Sequence, residues 1–258
     1  GLTGDTALVA ASSSGLGKAT ATALARQDTN VVVNGRDSEK LESTVKELQS
    51  KGDGEIVGIE ADLTNSGEVE TLVDEAVDEF GGLDHLVTNA GGPPSGPFLS
   101  MDDDDWYNAF ELLVMSAVRL IRESESHLRD GGGTITNITS MTVKEAAEGL
   151  VLSNSVRMSV IGLEKTLSKE FAPDVRVNAV LPGSHETART EELVNQGIER
   201  GDYEDYESGI EERYGDIPLG IGDPMDLGWT VAFLCSERAR NITGISLPVD
   251  GGASSSNL

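Results

Sequence analysis

The segment Ala10-Ala11-Ser12-Ser13-Ser14-Gly15-Leu16-Gly17-Lys18 separates a short apolar run from a helical one. Small residues at Ala11, Gly15 and Gly17 let a backbone approach a pyrophosphate closely. A helix opening near Gly15 offers that pyrophosphate free N–H groups and the positive end of a dipole. A plain tight turn would use the same residues, but the place between a first strand and a first helix favours phosphate. Asn34-Gly35-Arg36 closes the second strand, where an adenosine ribose is read. An acid there binds the 2′-hydroxyl of NAD, whereas Arg36 accommodates the 2′-phosphate of NADP, and Ser13 and Ser14 can add hydroxyl donors. Asp37 keeps NAD(H) as the second choice, although its position also suits a helix cap. The cofactor expected is NADP(H).

Other reactive side chains are few. Three scattered histidines and one cysteine make no metal constellation. His85 and His127 read as structural or exposed. Histidine as a residue type titrates near neutrality, so His185 could give a proton, or it could be an exposed loop residue. Cys235, in the apolar stretch Val231-Ala232-Phe233-Leu234, reads as packing. Three of the four tyrosines, Tyr203, Tyr206 and Tyr214, fall between residues 184 and 220, a strandless acidic stretch. That stretch reads as a lid over substrate or as a surface excursion. Pro93-Pro94-Ser95-Gly96-Pro97-Phe98 reads as a pocket wall or as a rigid turn.

The elements that must position these residues alternate regularly. Runs at 6–11, 30–34, 55–60, 85–88, 134–138, 175–180 and 245–249 are short and rich in Val and Ile, as strands buried on both faces are. Helical periods lie between them. Val69, Leu72, Val73, Ala76, Val77 and Phe80 form one stripe, and Leu41, Val45 and Leu48 another, capped at Asp37 or Ser38. Single long helices are predicted near 106–129 and 152–171. The pattern implies an α/β doubly wound Rossmann fold, a seven-stranded, mostly parallel sheet with helices on both faces, as one domain over 1–258.

Composition narrows the partners. Among 258 residues, 45 acids face 19 bases, a formal net charge of −26. Such a field repels nucleic acid and anionic membrane, and no apolar run approaches the ~20 residues of a membrane span. The dispersed acids and scarce lysine fit an ordinary acidic, soluble protein or, more sharply, a cytoplasm at molar salt, where screening relieves self-repulsion. A single cysteine excludes an intramolecular disulfide framework. The N-terminus lacks a signal-type core and reads as the first strand of the mature fold. A cytoplasmic location is expected.

Together these segments resemble the single-domain short-chain dehydrogenase/reductases, close to the 3-oxoacyl-acyl-carrier-protein reductase-like branch. Gly15-Leu16-Gly17 matches the end of that family's glycine loop, with Ala11 in place of its first glycine. Asn89-Ala90-Gly91 matches the motif closing strand four. Asp62, with Leu63 beside it, matches the acid that contacts adenine. Pro182-Gly183 followed by Thr187 matches the segment near the nicotinamide amide, which also brings His185 near that pocket. Ile242-Thr243-Gly244 and Val249-Asp250-Gly251-Gly252 match the C-terminal signature. The resemblance implies a homotetramer and hydride transfer between nicotinamide and a small carbonyl or alcohol substrate.

The reactive centre departs from the family. Ser140 matches the serine that orients the substrate oxygen. Ser153 stands where the family has its proton-donating tyrosine, Arg157 where it has lysine, and Leu113 where it has asparagine. A serine hydroxyl is a far weaker acid than a phenol of pKa ~10. Arg157 cannot relay a proton, but it can bind ribose or balance an alkoxide. The proton would come from water, His185, a lid tyrosine or Ser153; Lys144 lies near Ser140 in sequence only. Two functions follow as expectations. One is an oxidoreductase using Ser140, Ser153 and Arg157 in a non-standard site. The other is a catalytically silent NADP(H)-binding protein, such as a redox sensor or partner subunit.

Overall fold

The Val- and Ile-rich runs pair as a parallel sheet, because each is apolar on both faces and needs a helix layer on either side. The computed structural model describes residues 1–256, so the last two residues of the expected 1–258 domain lie outside the described residues. The strands are β1 (Thr6–Val9), β2 (Asn30–Gly35), β3 (Ile56–Glu60), β4 (His85–Thr88), β5 (Thr134–Ile138), β6 (Arg176–Pro182) and β7 (Ser246–Val249). Their order is β3-β2-β1-β4-β5-β6-β7, and every neighbouring pair is parallel. The order reverses between β1 and β4, the switch point where open α/β sheets bind ligands at strand C-termini.

Helices cover both faces. Helix α1 (Gly15–Ala25), α2 (Ser38–Leu48) and α10 (Pro224–Cys235) enclose one core cluster, which includes Leu24, Val33, Leu48, Val231 and Leu234. Helix α3 (Ser66–Phe80), α5 (Ser116–Gly131) and α7 (Met158–Glu170) enclose the other, which includes Leu8, Leu72, Leu86, Leu120 and Ile135. Asp37 caps α2, accepting the Lys40 N–H at 3.1 Å. The α3 stripe buries Val69, Leu72, Val73 and Ala76, as its spacing requires.

Both predicted long helices are interrupted, and each break falls at a candidate site position. Helix α4 (Asp103–Phe110) reaches α5 through a π turn at Glu111–Met115, which contains Leu113. Helix α6 (Val151–Val156) is separated from α7 at Arg157. Neither stretch contains a Pro or an unusual glycine, so tertiary packing sets the breaks. Residues 184–220 carry two helices, α8 (Ala188–Arg200) and α9 (Tyr206–Tyr214), whose mutual packing wedges Tyr203 against Gly197 and Gly209. Among the described residues, no helix is long and apolar enough to cross a membrane.

Candidate active site

The loop after β1 is strapped down by side chains from two other strand ends. The Ser14 side chain makes no cap bond to the start of α1, so the first N–H groups of that helix point into a cleft. Asn34, itself 1 % exposed, accepts the Ala11 N–H at 3.1 Å and donates to the Ile59 and Ala61 carbonyls. Asn89 donates to the Ala10 and Ala11 carbonyls at 3.3 and 3.2 Å. Gly17 packs against this strap: a Cβ there would lie 2.5 Å from the Ala11 carbonyl oxygen and 2.8 Å from Asn89 Nδ2. Ala11 sits at φ +46°, in the left-handed region where the resembled family places glycine.

The cleft has a volume of about 1050 Å³ and runs along the C-terminal ends of the strands. Ala11, Ser14, Gly15, Leu16, Arg36, Asp62, Leu63, Asn89, Ala90 and Gly91 line its first half. Gly17 and Ser13 do not line it. Gly17 supports the strap, and Ser13 sits against Gly35, where a Cβ would lie 2.7 Å from Ser13 Oγ. Arg36 Nη1 stands 3.6 Å from Asp62 Oδ2, at the rim. The Thr64 N–H, with help from Arg36, holds the Asp62 carboxyl below its ordinary range.

The second half gathers the candidate reactive groups. Ser140, at the exit of β5, accepts the Thr142 N–H at 3.2 Å. The Thr142 hydroxyl is 3.1 Å from Ser153 Oγ, so it joins the two serines. Arg157 Nη1 donates to the Thr139 carbonyl at 3.2 Å. Ser140, Thr142, Ser153 and Arg157 therefore form one cluster, brought together by β5, the turn after it and the break between α6 and α7. Thr142 is a member that the sequence reading missed. Pro182, Gly183 and Thr187 complete the wall. Thr187 precedes α8 and stands across the cleft from Gly15, with Cγ2 3.9 Å from a Cβ placed there.

The alternative proton donors separate clearly. Lys144 is exposed and does not line the cleft. His185 does line it but is 4 % exposed, which corrects the exposed-loop reading. Its Nδ1 faces the Gly183 carbonyl at 3.2 Å and its ring lies on Gly222. Burial pushes its pKa below the ordinary value, so the ring is neutral at pH 7, with its proton on Nδ1 directed at that carbonyl. A neutral imidazole so directed is poorly placed to donate. Among the described tyrosines, Tyr214 alone lines the cleft, and it is 7 % exposed. Arg213 Nε donates to its phenolic oxygen at 3.1 Å, and burial raises its pKa despite that cation. Pro93 and Pro94 line the cleft as well, while Phe98 is exposed on the surface.

The remaining candidates are structural. His85 bridges Thr134 and Asp5. Cys235 is buried and its thiol is pushed up to about 11. No group of three or more His, Cys, Asp or Glu positioned to hold a metal occurs among the described residues.

The cleft suits an extended dinucleotide. The α1 N-terminus and the Gly17 strap fit a pyrophosphate, and Arg36 fits a further phosphate. In the opposite half, Arg157 carries a buried Nε without a partner among the described residues. Residues 10–254 match the family model described as enoyl-(acyl carrier protein) reductase. The chain is 34 % identical over 256 residues to a 3-oxoacyl-acyl-carrier-protein reductase of Synechocystis sp., covering 97 % of each protein. It superposes with a TM-score of 0.93 on L-sorbose reductase from Gluconobacter frateurii, complexed with NADPH and L-sorbose, at 28 % identity over 99 % of this chain and 98 % of that one. It superposes with a TM-score of 0.88 on a 7α-hydroxysteroid dehydrogenase complexed with NADH, at 28 % identity over 97 % and 94 %.

Proposed function

Because the chain belongs to the short-chain dehydrogenase/reductase superfamily, within the family described as enoyl-(acyl carrier protein) reductase, we propose that it is an NADP(H)-dependent oxidoreductase acting on a carbonyl or alcohol. The observation that carries this reading is the single cleft joining the phosphate loop to Ser140, Ser153 and Arg157. Arg36 favours NADP(H) over NAD(H), and Ala11, Ser14, Gly15, Leu16, Asp62, Leu63, Asn89, Ala90, Gly91, Arg157, Pro182, Gly183 and Thr187 hold the cofactor. Ser13 and Gly17 shape its loop.

When bound, the nicotinamide supplies or accepts the hydride at the substrate carbon. The protein's own residues manage the oxygen. Ser140 Oγ donates a hydrogen bond to it, and Thr142 keeps Ser153 in the same hydroxyl row. The Arg157 guanidinium, without a carboxylate partner, balances negative charge that develops there. Tyr214 supplies the proton, because its phenol is protonated at pH 7 and Arg213 stabilises the phenolate left behind. The Arg213–Tyr214 pair thereby supplies, on the lid, the phenolic acid that α6 lacks at Ser153, with a cation beside it.

One observation favours the silent alternative. Leu113 is buried in the π turn, at the place where the family's asparagine would support a water relay. The experiment is NADPH oxidation against a panel of carbonyl compounds, with cofactor binding titrated separately. The oxidoreductase reading expects turnover of at least one carbonyl. Tight NADPH binding without any turnover would transfer the case to a cofactor-binding protein.

We also propose adaptation to molar salt and a homotetramer. Exposed Tyr107 and Phe110 on α4, Met158 on α7, and Trp229 and Phe233 on α10 provide apolar surface for contact between copies. The melting temperature is expected to rise steadily from low to molar salt as repulsion among the acids is screened. Light scattering across the same series is expected to return four chains. A flat or falling melt would sink the salt adaptation, and a monomer at high salt would sink the assembly.

A further inference from the structure

The substrate half of the cleft holds a cation, Arg189, for which the proposed reaction on a neutral carbonyl has no use. The chain carries 45 acids against 19 bases, yet Arg157, Arg189 and Arg213 all line this one cavity. Acids line it too, but each is engaged. Glu111 pairs with Arg119, and Asp62 with Arg36 and Thr64. Asp250 accepts the Gly252 and Ser254 N–H groups, and Glu145 accepts that of Ser255. None of them forms an ion pair with Arg157.

Arg157 uses one of its five donors, on the Thr139 carbonyl, and its buried Nε has no partner among the described residues. The guanidinium is half-buried at the cleft wall, and its unused Nη donors suit an anion. Arg189 lines the same cavity. Its guanidinium lies against Gly92, where a Cβ would come within 2.8 Å of Nε, and it is anchored by the Pro93 carbonyl and Glu192. The two cations are near enough that Arg189 adds to burial in bringing the Arg157 pKa down to about 10. A cavity that holds two guanidinium groups against their mutual repulsion is built for an anion.

We propose that the substrate is an oxo acid, whose carboxylate is received by Arg157 with Arg189 and whose keto oxygen faces Ser140. This rests on the oxidoreductase reading above. Arg157 meets both demands because its remaining donors can form a fork on a carboxylate, while Ser140 stands on the strand exit to which Arg157 is tied through Thr139. In the reducing direction, hydride adds to the keto carbon as a proton reaches its oxygen; the carboxylate is unchanged.

The probes are acetoacetate and its methyl ester, which differ in charge and bulk at the carboxyl end. Their binding is measured by calorimetry on protein saturated with oxidised NADP, where no reduction can occur. Acetoacetate is expected to bind at least about 30-fold more tightly than the ester, given the worth of a desolvated charge pair. Arg157→Met should erase that preference, Arg157→Lys should retain part of it, and Arg189→Gln should reduce it about 5- to 10-fold. NADP binding to the Arg189→Gln protein should stay within about 3-fold of the native value, which separates a substrate effect from a cofactor effect. Equal binding of acid and ester, failure of the acid to bind, or a preference that survives Arg157→Met overturns the proposal. A separate reduction assay distinguishes this failure from that of the parent reading. An ester reduced as well as the acid sinks only the oxo-acid inference, an acid that binds but is not reduced while another carbonyl of the panel is reduced sinks it too, and an acid that binds while no carbonyl of the panel is reduced sinks the oxidoreductase reading and leaves the anion site standing.

Discussion

Replacing Arg36 by aspartate is expected to weaken NADPH binding by about 10- to 100-fold while leaving NADH binding nearly unchanged or slightly improved. A hydrogen bond to a charged group is worth about 1.5–3 kcal/mol, and the aspartate adds a new repulsion that salt partly screens. Screening matters because the Arg36 side chain is 73 % exposed. Its present partner, Asp62 at 3.6 Å, is a rim pair of little worth, so losing that contact should not destabilise the fold. Aspartate at this position would face the 2′-phosphate with a like charge and the 2′-hydroxyl of NAD with an acceptor. Fluorescence titrations of both reduced cofactors, at one fixed salt concentration, give the ratio directly. Equal affinity for NADPH and NADH in the unaltered chain would remove Arg36 from the role assigned to it.

The half of the site proposed to take phosphate was legible in the sequence because its demands are local. A close backbone approach needs small residues, so Gly15 and Gly17 stand out against any background, and Asp37 announces the start of α2 by its type and place. The strand exits were legible for the same reason, since buried parallel strands are compositionally distinct. The catalytic half was legible only as a departure from a family pattern. Thr142, which joins Ser140 to Ser153, gives no signal because its importance depends on α6 folding back over the turn after β5. The π turn at Leu113 and the break at Arg157 are invisible in a stretch of ordinary helix formers. His185 reads as exposed from its polar neighbours Ser184 and Glu186, yet its bridge to Gly222 buries it. Tyr214 cannot be told from Tyr203 and Tyr206 by type. Only the fold turns Tyr214 to the cleft, leaving Tyr203 wedged between α8 and α9 and Tyr206 on the surface.

Removing the proton donor should have the largest effect on turnover. Tyr214→Phe deletes one hydroxyl, keeps the buried ring, and should lower reduction at neutral pH by about 10²–10⁴, the usual worth of a positioned general acid. Arg213→Gln should act through the same phenol. With the cation gone, the phenol's pKa rises further, the phenolate left after transfer is less stable, and the rate falls by a smaller factor. Burial already raises the Tyr214 pKa above its ordinary value of ~10, so the group stays protonated through neutral and mildly alkaline pH. Reduction should therefore hold level across that range and decline only as pH rises through the raised pKa. If His185 were the donor, the decline would instead begin below pH 7, because its pKa is lowered. Ser140→Ala should cost a comparable factor with NADPH affinity unchanged, since the serine acts on the substrate oxygen. The converse substitution is also informative. Ser153→Tyr with Arg157→Lys places the resembled family's tyrosine and lysine at those positions and should rescue Tyr214→Phe toward native rates for an uncharged carbonyl. A Tyr214→Phe protein with native turnover would return the proton to water, and a Ser140→Ala protein with native turnover would move the reacting oxygen away from β5 altogether.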